Sequence, residues 1–398
     1  MAADHKKRGS LASVMGRPKT GAMSSFDPLL QAQVKAMRLQ EPGWGPRTIL
    51  SELRLDKKWT NTKLPSRSVI GAFLKQEQLS KSYEPNHPMP VDACKRAKRC
   101  HSLWQIDGKG NSQVKGVGPI AMLNIKDVHS CLYVTAFPAR MKSMQGHPNR
   151  SDYQTAMRLG FIHHGLPRRL QSDHAAVFYE SQSKSPFPTQ FCLWLISLGI
   201  QPCFSRVHRP TDQGSVERAH RTIFNQGLRR KDGFRNWEQL LECCEQRRQK
   251  LNEVIPSTAT DNLAPLEKYP QAKHSGRFYH PHKEAQMISM KRIFAFLAKG
   301  KWYRKVSANR TVCIAGQIYY CSKAIPQQML IITFCNRKKQ LLFQNDNELV
   351  IHQTPLKGIS VESLMGNLER FARIPNLQLE LPLFWEAQKT NTTLSDYS

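Results

Sequence analysis

Three stretches near the start of the chain repeat apolar residues at helical spacing. The first spans about Pro28 to Leu39, behind the cap-type residues Ser25 and Asp27. The second begins near Pro46 and turns Ile49, Leu50 and Leu53 inward. The third runs from about Ser66 to Leu79, with Val69, Ile70, Phe73 and Leu74 on one face and Pro65 ahead of its start. From residue 103 the period changes to that of strands. LWQID at 103–107, PIAMLNIKD at 119–127 and CLYVTAFPA at 131–139 are short β-type runs separated by turns, and they predict an antiparallel meander. Helix and strand patterns then alternate: SDYQTAMRLGFIHHG, RRLQSD, PTQFCLWLISLG, QPCFSR and VERAHRTIFNQGLRR. Three hairpin-linked strands followed by such an alternation predict a mixed α/β sheet.

Other segments have a different texture. Residues 1–25 are polar, basic and rich in Gly and Ser, the composition of a flexible arm. Residues 81–102 carry Pro85, Pro88 and Pro90 and a basic cluster, Lys95, Arg96, Lys98 and Arg99, and read as an extended linker. Over 295–355, β-branched and aromatic alternation broken by frequent turns predicts a small β-barrel, and residues 356–398 form a tail without a clear pattern. The division expected is therefore an arm (1–25), a three-helix domain (26–80), a linker (81–102), an α/β core (103–270), a barrel (295–355) and a tail.

Charge narrows the class of partner. Lys and Arg number 59 against 30 Asp and Glu, a formal net charge of +29. An excess spread over the whole chain favours a polyanion, and nucleic acid over membrane, because no basic amphipathic helix or lipidation signal stands out. With that charge, the three helices over 26–80 suit a helix-turn-helix module, with the third helix, bearing Arg67 and Lys75, as the DNA reader. An ordinary three-helix packing domain gives the same pattern. The ten cysteines form no CxxC pair, and no signal peptide precedes them, so they read as thiols in a reducing, intracellular compartment. The longest apolar run, FCLWLISLGI at 191–200, has the size of a core helix, which excludes a membrane span on this reading.

Three acidic residues occupy places where a sheet gathers side chains. Asp107 closes the first strand, Asp173 follows the strand RRLQS, and Glu217 opens a helix in PTDQGSVERAHRT. Convergent carboxylates repel one another and call for cations, and hard oxygen ligands with open positions suit Mg²⁺ or Mn²⁺. Two such ions about 4 Å apart can activate an attacking oxygen and stabilise a leaving one. Singly, each residue has a plain reading as a turn former or a dipole-complementing first-turn acid. Asp127 in IKDVHS reads as a turn former, and His208 and His220 read as structural or surface residues before they read as substrate contacts.

With these residues in view, the stretch 103–230 resembles the integrase core shared by retroviral integrases and bacterial insertion-sequence transposases, the DDE family with an RNase H-like fold. The resemblance rests on WQID, IKDVHSCLYVTAFPA, LQSDHAAVF and RPTDQGSVERAHRTI, in that order. It implies that Asp107, Asp173 and Glu217 are catalytic and hold two Mg²⁺ or Mn²⁺ ions. It implies a multidomain protein: helix-turn-helix, RNase H-like core and small barrel. It further implies nicking of double-stranded DNA at element terminal repeats, strand transfer to target DNA, a homo-multimer on DNA and a bacterial, nucleoid-associated cytoplasmic setting. DNA contacts are expected from Arg67, Lys75, Arg96, Lys98, Arg99, Gln213, Arg218 and Arg221, with Gln213 and Gly214 forming a turn beside Glu217. Two rival readings stand beside it: a transposase-derived DNA-binding protein that no longer cuts, and an RNase H-like nuclease without strand transfer. One feature departs from the family: 43 residues separate Asp173 from Glu217, more than is usual, and the extra length is expected in YESQSKSPFP at 179–188.

Overall fold

Side chains that satisfy the free N–H groups of a first turn fix where the early helices begin. The computed structural model describes residues 21–80, 97–180, 183–205 and 213–366. The arm to residue 20, the linker from 81 to 96 with Arg96, the segment holding His208 and the tail from 367 lie outside the described residues. The chain divides into two compact units, 1–86 and 87–398.

In the first unit, Asp27 caps α1 (Pro28–Gln40) by accepting from the Leu29 N–H at 2.8 Å. α2 (Pro46–Leu55) starts on a proline, which has no N–H to leave unsatisfied. Ser66 caps α3 (Arg67–Gln76) through the Val69 N–H. Caps of this kind contribute about 1 kcal/mol each. Leu30, Val34, Ile49, Leu53, Ile70 and Phe73 close into one core with Trp59. Met23 is buried in that core and the Ala22 N–H reaches Gln76, so residues 21–25 belong to the helical packing and not to the arm expected there. Apolar burial outweighs the polar texture of the surrounding sequence.

The second unit is built on a five-stranded mixed sheet. β1 (Trp104–Val114), β2 (Gly118–Asp127) and β3 (Tyr133–Arg140) form the antiparallel meander. After α4 (Arg150–His164), β4 (Arg169–Ser172) pairs with β1 in parallel; after α5 (Gln190–Ser197), β5 (Gln201–Phe204) pairs with β4 in parallel. The order is β3-β2-β1-β4-β5. Two helices follow, α6 (Gly214–Ile223) and α7 (Trp237–Glu253). β1 does not end at Asp107: Gly108 and Lys109 stay paired with β2 and the strand runs on to Val114, with a bulge between Lys109 and Ser112 taking up the misfit. α7, which the apolar pattern does not reveal, guards the outer strand. Its Asn252 accepts from the Tyr133 N–H at 2.8 Å and donates to the Tyr133 carbonyl at 2.9 Å.

The C-terminal strands pair as an open sheet, β11-β10-β9-β6, beside a separate β7–β8 hairpin. These are β6 (Lys301–Lys305), β7 (Thr311–Ile314), β8 (Gln317–Tyr320), β9 (Met329–Cys335), β10 (Gln340–Gln344) and β11 (Val350–Pro355). No closed barrel forms among the described residues. The apolar face is covered instead by helix α8 (Met290–Leu297), with Phe294 stacked on Phe334 at 5.3 Å. Trp302, Leu330 and Phe343 share one continuous core with Trp104, Phe161 and Trp194 of the α/β sheet.

Buried polar groups tie this core together. Glu284, fully buried, accepts two bonds from Arg158 at 2.8 Å each, one from Trp194 Nε1 at 2.7 Å and one from the Tyr279 hydroxyl. Removing one partner from such a pair strands a buried charge, at a cost of about 3–5 kcal/mol. No helix among the described residues is long and apolar enough to cross a membrane.

His164 gives the fold a pH signature. Its Nδ1 donates to the Lys273 carbonyl at 2.9 Å, and its Nε2 accepts from Arg248 Nη1 at 3.1 Å. Burial, then the Arg248 cation, hold its pKa down to about 3. The folded state keeps the ring neutral, while the unfolded chain protonates it below about pH 6.5. Stability should therefore fall as pH drops from about 6.5 towards 3, by up to about 1.4 kcal/mol per unit from this group. Chemical denaturation of wild type and His164→Gln at about pH 7 and about pH 5 checks this: the variant should lose less stability over the interval, and parallel losses would refute the assignment.

Candidate active site

Strands β1 and β4 pair at only two positions, Trp104↔Leu170 and Gln105↔Gln171. At the second, both glutamines are buried and Gln105 Nε2 donates to Gln171 Oε1 at 3.1 Å. Side chains two residues apart along a strand share a face. Asp107 and Asp173 each stand two residues beyond a bridged glutamine and so follow it onto one face.

The carboxylates are held differently. Asp107 Oδ1 accepts from the Gly108 N–H at 2.9 Å, and Oδ2 lies 3.2 Å from His220 Nε2. That separation is within ion-pair reach, but the alignment is not that of a hydrogen bond. Asp173 Oδ1 accepts from the Ala175 N–H at 3.0 Å, opening a tight turn. Burial first, and then the negative charge of Asp107, hold the Asp173 carboxyl above the usual carboxylate range despite that bond. The Tyr153 hydroxyl from α4 stands beside both: burial, then Asp173, then Asp107 push its pKa up, so it stays protonated.

Glu217 lies in the first turn of α6, with an exposed side chain. One turn further on, His220 is buried; its Nδ1 accepts from the Asn124 amide of β2 at 2.8 Å while its Nε2 faces Asp107. The structure thus brings Asp107 and Asp173 together and leaves Glu217 as a solvent-facing carboxylate on the helix that reaches Asp107 through His220. Among the described residues, no group of three His, Cys, Asp or Glu stands close enough to share a metal ion. Asp107 and Asp173 nonetheless offer hard oxygens of the kind that suits Mg²⁺ or Mn²⁺, and Glu217 stands on the adjoining helix.

The other expected contacts are distributed. Gln213 stands at the residue before α6 without a side-chain bond to its first turn; it is buried, its amide Nε2 lacks a hydrogen-bond partner, and Gly214 faces open space. Arg218 and Arg221 are exposed on α6, and Lys98 and Arg99 are exposed ahead of β1. Arg67 and Lys75 are exposed on α3 of the other unit. Asp127 is fully buried and accepts from the His101 N–H, the Ser130 N–H and the Ser130 hydroxyl, which is the work of a turn former. Gln105, Gln171, Asn124 and Tyr153 escaped the sequence reading. A signal for the glutamines was there: WQID and LQSD repeat the pattern Gln-x-Asp.

Beyond Asp173, Glu180 and residues 183–187 rest on the C-terminal sheet as a strap. Arg304 of β6 pairs with Glu180 at 2.9 Å and donates to Ser183 Oγ at 2.9 Å and to the Ser185 carbonyl at 2.7 Å. Phe187 packs on Trp302, with ring centroids 4.7 Å apart.

No protein-family model matches the chain. Among solved structures, it is similar to the catalytic core domain of BIV integrase, with 17% identity and TM-score 0.28 over 43% of this chain and 95% of that one. It is similar to the HTLV-2 integrase catalytic core domain in complex with magnesium, with 13% identity and TM-score 0.29 over 43% and 97%. It is also similar to a chain of the simian T-cell lymphotropic virus intasome in complex with PP2A regulatory subunit B56 gamma, with 15% identity and TM-score 0.33 over 77% and 96%.

Gly108 makes the site's packing testable. A methyl group there would collide with the Tyr153 hydroxyl and press on Leu123 at 3.0 Å. Gly108→Ala should cost about 1–3 kcal/mol by overpacking. The penalty should shrink in a Tyr153→Phe background, where the colliding oxygen is gone, as thermal unfolding of the four proteins in a double-mutant cycle can measure. Equal penalties in both backgrounds would place the hydroxyl elsewhere.

Proposed function

We propose that this protein is a DDE-type DNA transposase that nicks DNA at element ends and joins the freed 3′-hydroxyl to target DNA. The observation that carries the reading is the apposition of Asp107 on β1 and Asp173 just past the end of β4, its parallel neighbour, with His220 of the Glu217 helix set against Asp107. Asp107, Asp173 and Glu217 would hold Mg²⁺ or Mn²⁺, two ions per site, which when bound supply activation of the attacking oxygen and stabilisation of the leaving oxygen.

The chain's own residues do the rest. The glutamine bridge keeps the two aspartates in register, and His220 ties the Glu217 helix to the same strand. Tyr153 offers a protonated hydroxyl beside the carboxylates and closes the space over Gly108. Arg218 and Arg221 flank Glu217 with positive charge for the phosphate backbone, as Lys98 and Arg99 do ahead of β1, and the net charge of +29 draws the duplex in. In this reading residues 26–80 act as a helix-turn-helix, with Arg67 and Lys75 on α3 reading the terminal repeats. Because two ends must be joined, the active form is a multimer on DNA.

Purified protein with Mg²⁺ or Mn²⁺, on DNA carrying its own element ends, should yield joined strand-transfer products, and Asp173→Ala should yield none. Hydrolysed ends without joining would point to a nuclease instead. Binding without any cleavage by the parent protein would reduce the reading to a DNA-binding one.

A further inference from the structure

The strap and the C-terminal sheet do not meet along their whole length. Between them lies a groove of about 810 Å³, with Tyr303 of β6, Met329 of β9 and Ile359 in its lining. Tyr303 and Met329 alternate with the buried Trp302 and Leu330, and keep 49% and 46% of their surface exposed. Lys305, which pairs with Met329 across the strands, and Lys184 of the strap stand exposed in the same lining. The carboxylate there, Glu180, is paired with Arg304. The groove thus offers an apolar floor with positive charge at its rim.

The chain leaves the described residues beside this groove. Ile359, in the lining, is followed by a short helix, Val361–Met365. Gln190, also in the lining, donates to the Gly358 carbonyl at 3.2 Å. Helix α4 holds the far end: Gln154 Nε2 donates to the Leu364 carbonyl at 2.8 Å, and Arg158 Nη2 to that of Met365 at 2.7 Å. Gly366 is therefore a fixed point of departure for residues 367–398. Within them, LQLELPLFW at 377–385 sets Leu377, Leu379, Leu381, Leu383 and Trp385 at alternate positions. Such a run, drawn out, puts all of them on one face. Between Arg373 and Lys389 the sequence has Glu380 and Glu386 but neither Lys nor Arg, in a chain of net charge +29. Residues 367–376 span up to about 35 Å when extended. With Ile359 itself in the lining, that reach suffices.

We propose that residues 377–385 of the same chain occupy this groove, their leucine face on Tyr303, Met329 and Ile359 and their glutamates toward Lys184 and Lys305. The inference does not depend on the transposase reading. Three features select the occupant: the point where the tail departs, its alternating leucines, and a charge opposite to that of the rim. A nucleic-acid strand would meet the lysines and leave the apolar floor unused.

Side-chain reactivity reads the groove directly in the full-length protein. Under hydroxyl-radical oxidation, Met329 and Tyr303 should react slowly in wild type. Leu381→Asp should speed both about tenfold, because a carboxylate on the leucine face opposes its burial. Tyr320, 59% exposed and outside the groove, should react equally in both proteins and serves as the reference. Leu381→Met, which keeps an apolar side chain, should leave both residues protected. Protection should persist on dilution, as an occupant tethered in the same chain requires. With p-benzoylphenylalanine in place of Trp385, irradiation should join the tail to residues 303–305 or 329–331 of its own chain. Equal oxidation of Met329 and Tyr303 in wild type and Leu381→Asp would overturn the proposal. So would protection that vanishes on dilution or a cross-link between two chains, either of which would give the groove to a second copy. Absence of cross-links to those two segments would place the tail elsewhere and overturn it as well.

Discussion

Two buried amides govern the geometry on which the α/β unit depends. β1 and β4 touch at just two register positions, so the pairing carries little backbone specification of its own. The bond between Gln105 and Gln171 supplies it. A slip by one residue would part the two amides, leave their polar atoms buried without each other, and turn the following aspartates to opposite faces. The same bond therefore aligns a sheet and forces two negative charges into proximity. Those demands oppose each other electrostatically, and the charge of Asp107 adds to burial in raising the proton affinity of Asp173.

A second layer holds Asp107 from the other side. His220 spans from Asn124 on β2 to Asp107 on β1, so the helix that begins at Gly214 is moored to the sheet by its buried face while Glu217 stays outward. A helix start of this kind presents an acid to solvent and anchors it one turn later. The carboxylates are thus bordered by polar side chains, glutamine, asparagine and histidine, while Arg218 and Arg221 stay exposed on the helix of Glu217.

Much of this was legible in the sequence because local signals agreed with the final packing. Asp27, Pro46 and Ser66 mark helix starts by their own chemistry, and the meander and alternating elements follow from hydrophobic period. What escaped was non-local. The GKG run after Asp107 has turn composition, and only the pairing of Gly108 and Lys109 with β2 keeps it extended. The barrel expected at the C-terminus has strands of the right character, but a helix covers the face that closure would otherwise bury. Met23 sits in polar sequence, and α7 is so rich in charge that its period is masked, although Asn236 caps it through the Gln239 N–H at 2.9 Å. The rings of His174, Tyr179 and Phe204 meet near Asp173, a juxtaposition that strand order creates and no short motif announces.

The strap from Glu180 to Phe187 bears on how such a chain can change over generations. Arg304 and Trp302 belong to the C-terminal sheet, yet their partners lie in the segment that leaves Asp173. A sheet exchanged between related chains would arrive without the matching arginine and tryptophan, and the loop would lose both its charge partner and its apolar seat. Loop and C-terminal sheet are therefore one physical unit for any change in sequence: an alteration in either disturbs the charge partner or the apolar seat of the other.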